Sequence, residues 1–236
     1  MSNKESELAK LRYNKTDFIS STLKGVFGAI PFAGPAAQEL LGAIIPKQRM
    51  DRVVIFVEKL ASEFEKMQEK LADLVERMYA PTYSSLFYKS CVYSADSITM
   101  ERIEYIKNLF INGLTQQESE VDKAESLLNL LNKINDTEIT YLNYYYLHKW
   151  DVQNANKYKD LHKIDSIKPR IYGRMSQKER DSQTAKQIFL DNLLNLGLLE
   201  IELKKDKEHI KCSSVGDLLI RRIFMKDSAN KLEVKP

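Results

Sequence analysis

The sequence predicts a mainly α-helical protein with an N-terminal helical bundle around one long helix and a small C-terminal winged-helix-like module. Apolar residues recur at three- and four-residue steps through most of the chain. One such run, from Val53 to Met78, is sustained for nearly four heptads. The only clear strand-like alternation lies in residues 198–214. These observations favour helix packed on helix, with a single hairpin near the C-terminus.

Composition and periodicity divide the chain into consecutive parts. We expect residues 1–15, which are polar, to be a mobile N-terminus, and residues 16–135 to form the helical bundle. Residues 136–225 form the winged-helix-like module, interrupted by a basic insertion at 151–181 that has eight Lys or Arg and no clear period. Residues 226–236 read as a loose tail.

The first predicted helix, residues 16–30, leads into a stretch at 25–46 whose only charge is Glu39. Pro31 and Pro35 lie near its centre and make one straight membrane span unfavourable, because lipid cannot satisfy the backbone groups that prolines leave free. The favoured interpretation is a helical corner in a soluble protein. The alternative is contact with a membrane surface, through basic flanks and the apolar side chains of Val26, Phe27, Ile30, Phe32, Leu40, Leu41, Ile44 and Ile45.

The heptad pattern predicts one helix over 48–79, about 40 Å long. It serves either as the internal spine of the bundle or as a coiled-coil contact in a homo-oligomer. The spine is favoured, since Phe and Met positions do not suit a two-stranded zipper. The stripe consists of Val53, Val57, Leu60, Phe64, Met67, Leu71, Leu74 and Met78.

Three further amphipathic helices are predicted over 98–114, 119–134 and 136–150, with Asp136 as the N-cap of the last. The first of them is expected to bury Ile98, Ile103, Ile106, Leu109 and Phe110 on one side. The last contains an aromatic cluster, interpreted as core and rim in preference to a base-stacking surface. Its members are Tyr141, Tyr144, Tyr145, Tyr146 and Trp150.

The C-terminal pattern begins with a helix over 182–196 that ends at Gly197 in the C′ position. Residues 198–214 alternate apolar and polar across a charged turn, which is typical of a hairpin. A final amphipathic helix follows over 215–224. Helix, helix, two-stranded hairpin and helix is the order of a winged-helix module.

A winged helix raises the question of nucleic-acid binding, which needs a basic recognition helix. In the candidate helix, the charge of Lys186 is balanced by that of Asp191, so the helix has no net positive charge. A protein-binding or solvated face is therefore favoured, and a non-specific nucleic-acid surface is the weaker alternative. That surface would use Lys163, Lys168, Arg170, Arg174, Lys204, Lys205, Lys207 and Lys211.

Composition gives little support for catalysis or for a secreted protein. The net charge is only +3, and the two cysteines, Cys91 and Cys212, lie far apart, which favours a reducing compartment. The three histidines have no Cys or carboxylate at ligand spacing, so we expect no metal, no cofactor and no enzyme activity. The charged first residues do not form a signal peptide. The expected location is the cytoplasm, or the periphery of the inner membrane if 25–46 contacts lipid.

Three segments together resemble a bacterial family. "NLFINGLTQQ" (108–117) is followed by "LLNLLNKINDTEITYL" (127–142), and then by "FLDNLLNLGLLE" and "IKCSSVGDLLIRRI" (189–200 and 210–223). Over residues 98–225 this order is similar to the abortive-infection alpha (Abi-alpha) type of protein, which is associated with phage defence. The resemblance implies restriction of phage growth, and it brings no catalytic residues with it. We expect the protein to act by binding another protein of a defence system, and the alternative is a membrane-perturbing effector that uses residues 25–46.

Overall fold

The computed structural model describes residues 45–67, 80–115, 120–150, 176–204 and 207–224, together with residues 43, 74, 76 and 77. Within these ranges the protein has seven α-helices and one two-stranded sheet, which confirms the mainly α-helical fold. The chain divides into two compact units, residues 1–128 and 129–236.

The described residues of unit 1 (residues 1–128) form a 3-10 turn and three complete helices, and a fourth helix begins in this unit and ends in unit 2. They are the turn Lys47–Arg49, α1 Met50–Lys66, α2 Pro81–Asp96, α3 Met100–Thr115 and α4 Val121–Asn132. In unit 2 (residues 129–236), the part of the chain that the structure describes forms three further helices and an antiparallel hairpin. They are α5 Asp136–Trp150, α6 Gln177–Asn195, β1 Leu199–Lys204, β2 Lys207–Cys212 and α7 Ser214–Ile223.

The core of unit 1 is built on α1, against which α2 and α3 pack. Phe56, Phe87 and Phe110, one from each helix, meet with ring centroids 5.8–6.4 Å apart. The predicted apolar stripe is buried at Val53, Val57, Leu60, Phe64 and Leu74, with at most 6% of any of them exposed. Along α1 the stripe is therefore part of the interior of unit 1 and does not form an exposed zipper.

The helix predicted over 48–79 is shorter in the structure. Helix α1 ends at Lys66, and the N–H of Met67 bonds the carbonyl of Phe64 at 3.0 Å in a tightened last turn. The prediction of one continuous helix is wrong at Lys66, because an apolar heptad spacing does not mark where a helix ends. Leu74, Glu76 and Arg77, further along the predicted range, are helical. Leu71 and Met78 lie outside the described residues.

Helix α3 begins later than predicted, at Met100. The hydroxyl of Thr99 accepts from the Arg102 N–H at 3.3 Å and marks the start of the helix. Ile98 precedes this cap, and 88% of it is exposed, so its predicted burial is wrong. The other four residues of the predicted face, Ile103, Ile106, Leu109 and Phe110, are buried.

The N-cap of α5 is Asn135, and the predicted Asp136 is the first helical residue. The Asn135 side chain accepts the Glu138 N–H at 2.9 Å, and the Glu138 carboxylate accepts the Asn135 N–H at 2.7 Å. This reciprocal capping box needs a carboxylate three residues after the cap. Glu138 satisfies that spacing for Asn135, which is why the cap falls one residue earlier. Glu138 also accepts from the amide of Asn192 on α6 at 2.8 Å.

Helix α6 begins earlier than the predicted 182–196 and includes residues 177–181, so the predicted basic insertion at 151–181 is wrong at its C-terminal end. It ends as predicted at Gly197, whose φ is +68°. The Leu198 N–H bonds the carbonyl of Leu193 and the Gly197 N–H bonds that of Leu194, both at 2.9 Å. This Schellman ending aims the chain directly into the hairpin.

Candidate functional site

The base of the hairpin β1–β2 is fixed to the first turn of α7. The Ser213 hydroxyl donates to the carbonyl of Gly197 at 2.6 Å and accepts the Gly216 N–H at 3.0 Å, while the Ser213 N–H bonds the carbonyl of Leu198 at 3.1 Å. A Cβ at Gly216 would lie 2.2 Å from the Leu198 oxygen. The hairpin therefore projects from a tightly packed base.

One face of the hairpin changes from buried to exposed along its length. The pairs Leu199–Cys212, Ile201–Ile210 and Leu203–Glu208 lie on this face, because side chains alternate along a strand. Leu199 and Cys212 are buried, whereas 49% of Ile201 and 75% of Leu203 are exposed. The outer half of β1 thus presents two large apolar side chains, which we call the hairpin apolar face (Ile201 and Leu203).

The opposite face of the hairpin carries charged side chains that form ion pairs with one another. The Lys211 ammonium lies 3.3 Å from a carboxylate oxygen of Glu200 and 3.2 Å from one of Glu202. Hydrogen bonds to Glu202 and Glu200 raise the pKa of Lys211. The predicted basic surface is therefore compensated at Lys211. Lys204 is the last residue of β1 and Lys207 is the first residue of β2. The other members of the predicted surface lie outside the described residues, namely Lys163, Lys168, Arg170, Arg174 and Lys205.

A second exposed apolar group is the indole of Trp150, at the end of α5. Its N–H donates to Oδ1 of Asp217 at 2.6 Å, and the other carboxylate oxygen accepts from Arg221 at 3.0 Å. Of Trp150, 62% is exposed, and the Lys149 ammonium lies 4.8 Å from the ring centroid. An aromatic side chain held in one orientation is a suitable contact for a protein partner, since less freedom is lost on binding.

The remaining aromatic residues of α5 confirm the interpretation as core. Tyr141, Tyr144, Tyr145 and Tyr146 are buried, and burial raises the pKa of Tyr141. Their ring faces are occupied inside the unit, where Tyr144 and Tyr145 meet edge to face at 5.1 Å. A base-stacking platform would need exposed rings.

The predicted membrane-contact set lies almost entirely outside the described residues. Ile45 is its only described member, and with 4% exposed it is buried in the protein. Within the described part of the chain, no helix combines the length and the apolar character needed to cross a bilayer. Val26, Phe27, Ile30, Phe32, Leu40, Leu41 and Ile44 are not described.

The described residues offer little reactive chemistry. Both cysteines are buried, and burial raises the pKa of Cys91 and raises that of Cys212 to about 12, so neither thiol forms a thiolate at neutral pH. No group of three His, Cys, Asp or Glu side chains in the described ranges is placed to hold a metal ion. His148 and His209 are exposed, and His162 lies outside these ranges.

Sequence reasoning missed both the hairpin apolar face and the fixed Trp150. The alternation in 198–214 predicts a hairpin but does not show which apolar residues its base covers. Trp150 and Asp217 are 67 positions apart in the sequence, and no local residue pattern predicts that they form a hydrogen bond. Comparisons of this chain with protein-family models, with curated proteins and with solved structures find no match.

Proposed function

We propose that this protein is a non-enzymatic component of a bacterial anti-phage (abortive-infection) system that acts by binding another protein through the hairpin apolar face. The observation that carries the proposal is the exposure of Ile201 and Leu203 on a hairpin whose base is held by the hydrogen bonds of Ser213. Large apolar side chains grouped on one exposed face are typical of protein contacts. The phage-defence setting rests on the resemblance of residues 98–225 to the Abi-alpha type of protein.

Protein binding is favoured over nucleic-acid binding by the charges of the hairpin. Lys211 is paired with Glu200 and Glu202, so it is not available to neutralise a phosphate without losing those partners. A nucleic-acid surface needs uncompensated cations, because release of counterions from phosphates supplies most of the affinity. The acidic residues of the hairpin work against such a surface.

The membrane-perturbing alternative has weaker support. It depends on residues 25–46, and Ile45, the described member of its contact set, is buried. Binding of a protein partner from the cytoplasm is the simpler proposal for a surface formed by the hairpin.

The test is phage plating on a sensitive bacterium that expresses the chain. We expect the wild type to lower plating efficiency and the double variant Ile201→Asp, Leu203→Asp to restore it. The control is Ile188→Asp on α6, which places one such charge at another apolar residue that is 60% exposed. Full restriction by the double variant would overturn the role of the hairpin, and no restriction by the folded wild type on a panel of phages would overturn the defence setting.

A further inference from the structure

Among the residues that the structure describes, one edge of β1 has no neighbouring strand and offers a template for an added strand. We infer that the hairpin binds its partner by strand addition, taking an extended segment of another protein in which apolar and basic residues alternate. This inference rests on the proposed function, since it specifies the partner of the same surface. It is carried by three features of β1: the direction of its backbone groups, the exposure of its apolar side chains and the charges between them.

The register of the hairpin fixes which backbone groups point outwards. Lys204 pairs with Lys207 across a two-residue connection, so this closing pair exchanges hydrogen bonds between the strands. Bonded and non-bonded pairs alternate along an antiparallel ladder, which makes Ile201–Ile210 and Leu203–Glu208 non-bonded pairs. The N–H and C=O groups of Ile201 and Leu203 therefore point away from β2.

These outward groups are open to a partner. In the part of the chain that the structure describes, β1 has β2 as its only strand neighbour, and no main-chain hydrogen bond joins Ile201 or Leu203 to another element. Natural edge strands are usually protected by charge, proline or a covering element. Here the same two residues that offer the backbone groups also expose large apolar side chains.

The side chains of β1 specify the chemistry of the added segment. Residues that pair across an antiparallel edge have side chains on the same face, so apolar residues of the partner would lie beside Ile201 and Leu203. Their neighbours in the partner would lie beside Glu200 and Glu202, which have Lys211 on the β2 side and are 50% and 31% exposed. Lysine or arginine at those positions would complete an alternating row of charges.

A second copy of this chain fits the edge less well. A two-fold pairing of β1 with β1 can match both Ile201 and Leu203 to apolar residues in two registers. One register places Glu200 opposite Glu202 twice, and the other places Glu202 opposite Glu202 while it pairs Glu200 with Lys204. A basic segment instead sets a cation opposite both glutamates. Like charges directly opposite destabilise a strand pair. Charge complementarity thus favours a basic segment of a different protein.

The experiment measures binding of a short fluorescein-labelled peptide of alternating lysine and valine to the full chain, by fluorescence anisotropy. N-methylation of the valine amides removes the donors that face β1, whereas N-methylation of the lysine amides removes donors that face away. We expect the valine-methylated peptide to bind at least about tenfold more weakly. The lysine-methylated peptide and the parent are expected to bind alike. A matching peptide of alternating glutamate and valine is expected not to bind.

The protein side of the edge is tested by Leu203→Pro, which removes one outward N–H, against Leu203→Ala, which keeps it. Proline is tolerated where the N–H of an edge strand faces solvent. Far-ultraviolet circular dichroism reports whether each variant remains folded, and the methylated peptides test the same contact without altering the protein. We expect Leu203→Pro to weaken binding of the parent peptide about tenfold further than Leu203→Ala.

Equal binding of the two methylated peptides, or no binding of the parent peptide, would overturn strand addition. A dimer in sedimentation that Leu203→Pro dissociates would replace the basic segment with a second copy. The proposed function is judged separately by plating. If the aspartate variant loses phage restriction while the peptides show no preference, the hairpin apolar face binds a protein in another way.

Discussion

The indole N–H of Trp150 donates a 2.6 Å hydrogen bond to the carboxylate of Asp217, which is only 8% exposed. The same carboxylate accepts from Arg221 one turn further along α7. The end of α5 is thereby joined to the first turn of α7, next to the base of the hairpin. Since Trp150 is the only tryptophan, its fluorescence reports on this junction.

Replacement of Trp150 by Phe keeps an aromatic ring and removes the donor. We expect a loss of about 1 kcal/mol in the free energy of unfolding, because Asp217 keeps Arg221 as a partner and loses one hydrogen bond. Urea unfolding followed by circular dichroism measures the change. The control is Trp150→Phe in an Asp217→Asn background, where the effect of removing the indole N–H should shrink, and equal losses in both backgrounds would contradict the coupling.

The capping box of α5 predicts that Asn135→Ala costs about 1 kcal/mol of stability, since a bare N–H is left at the helix start. Asp136→Ala, the matched control one residue later, removes a carboxylate from the first turn and is expected to cost less. Thermal unfolding of the two variants decides between them. A larger loss for Asp136→Ala would restore the cap that the sequence alone indicates.

The heptad stripe shows how much of the fold the sequence predicts. Val53, Val57 and Leu60 are buried as predicted, because a period of 3.5 reports which side of a helix faces the interior. The helix end at Lys66 was missed, since no proline or glycine marks it and the apolar spacing continues beyond it. Gly197 was found because a helix that ends in a left-handed residue selects glycine.

The candidate site was predicted only in outline. The alternation of apolar and polar residues indicates the hairpin. The exposure of Leu203, however, depends on how much of β1 is covered by other elements, and this is decided by tertiary packing. The number of lysines in a segment does not show which of them are paired with carboxylates in the fold. Lys211 lies across the strand from Glu200 and diagonally from Glu202, and that pairing follows from the register, which residue counting does not supply.

Lys107 on α3 is buried between two carboxylates of unit 1. Its ammonium lies 3.3 Å from Glu63 and bonds Glu104, which also accepts from Lys59 at 2.8 Å. We expect Lys107→Met, which preserves the length of the side chain, to cost about 2 kcal/mol at neutral pH, the usual scale for hydrogen bonds to charged groups. Lys66→Met is the matched control, because that side chain is 64% exposed and also bonds Glu63.

The stability that Lys107 contributes should decrease as the pH is lowered. Burial raises the pKa of Glu63 and of Glu104, but the hydrogen bonds and charges of their lysine partners outweigh it and hold both pKa values below the ordinary value of 4.5. A carboxyl group whose pKa is lower in the folded protein contributes its full stabilisation at any pH above its pKa in the unfolded chain. This stabilisation is lost as the pH falls through the pKa of the folded state. The stability difference between wild type and Lys107→Met should therefore shrink below pH 4.5. A difference that grew on acidification would contradict the ion-pair account.

Gly216 and Gly197 are needed for different physical reasons. Substitution of each glycine by alanine and by asparagine separates these reasons. At Gly216 a Cβ would collide with the backbone oxygen of Leu198 at 2.2 Å, whereas at Gly197 nothing lies within 4 Å and the cost comes from a φ of +68°. Gly216→Ala is expected to destabilise by about 2 kcal/mol through overpacking. Gly197→Ala is expected to cost about 1 kcal/mol through the left-handed backbone.

Asparagine distinguishes the two causes, because it tolerates the left-handed region better than alanine does. Gly197→Asn should recover part of the stability that Gly197→Ala loses, while Gly216→Asn should be at least as damaging as Gly216→Ala. Urea unfolding monitored by Trp150 fluorescence gives all four values in one assay. The Gly216 variants are further expected to weaken phage restriction, since the base that orients Ile201 and Leu203 would have to move. Unchanged stability of Gly216→Ala would show that the junction between the hairpin and α7 is looser than its geometry indicates, and the rigid presentation of the hairpin apolar face would lose its physical basis.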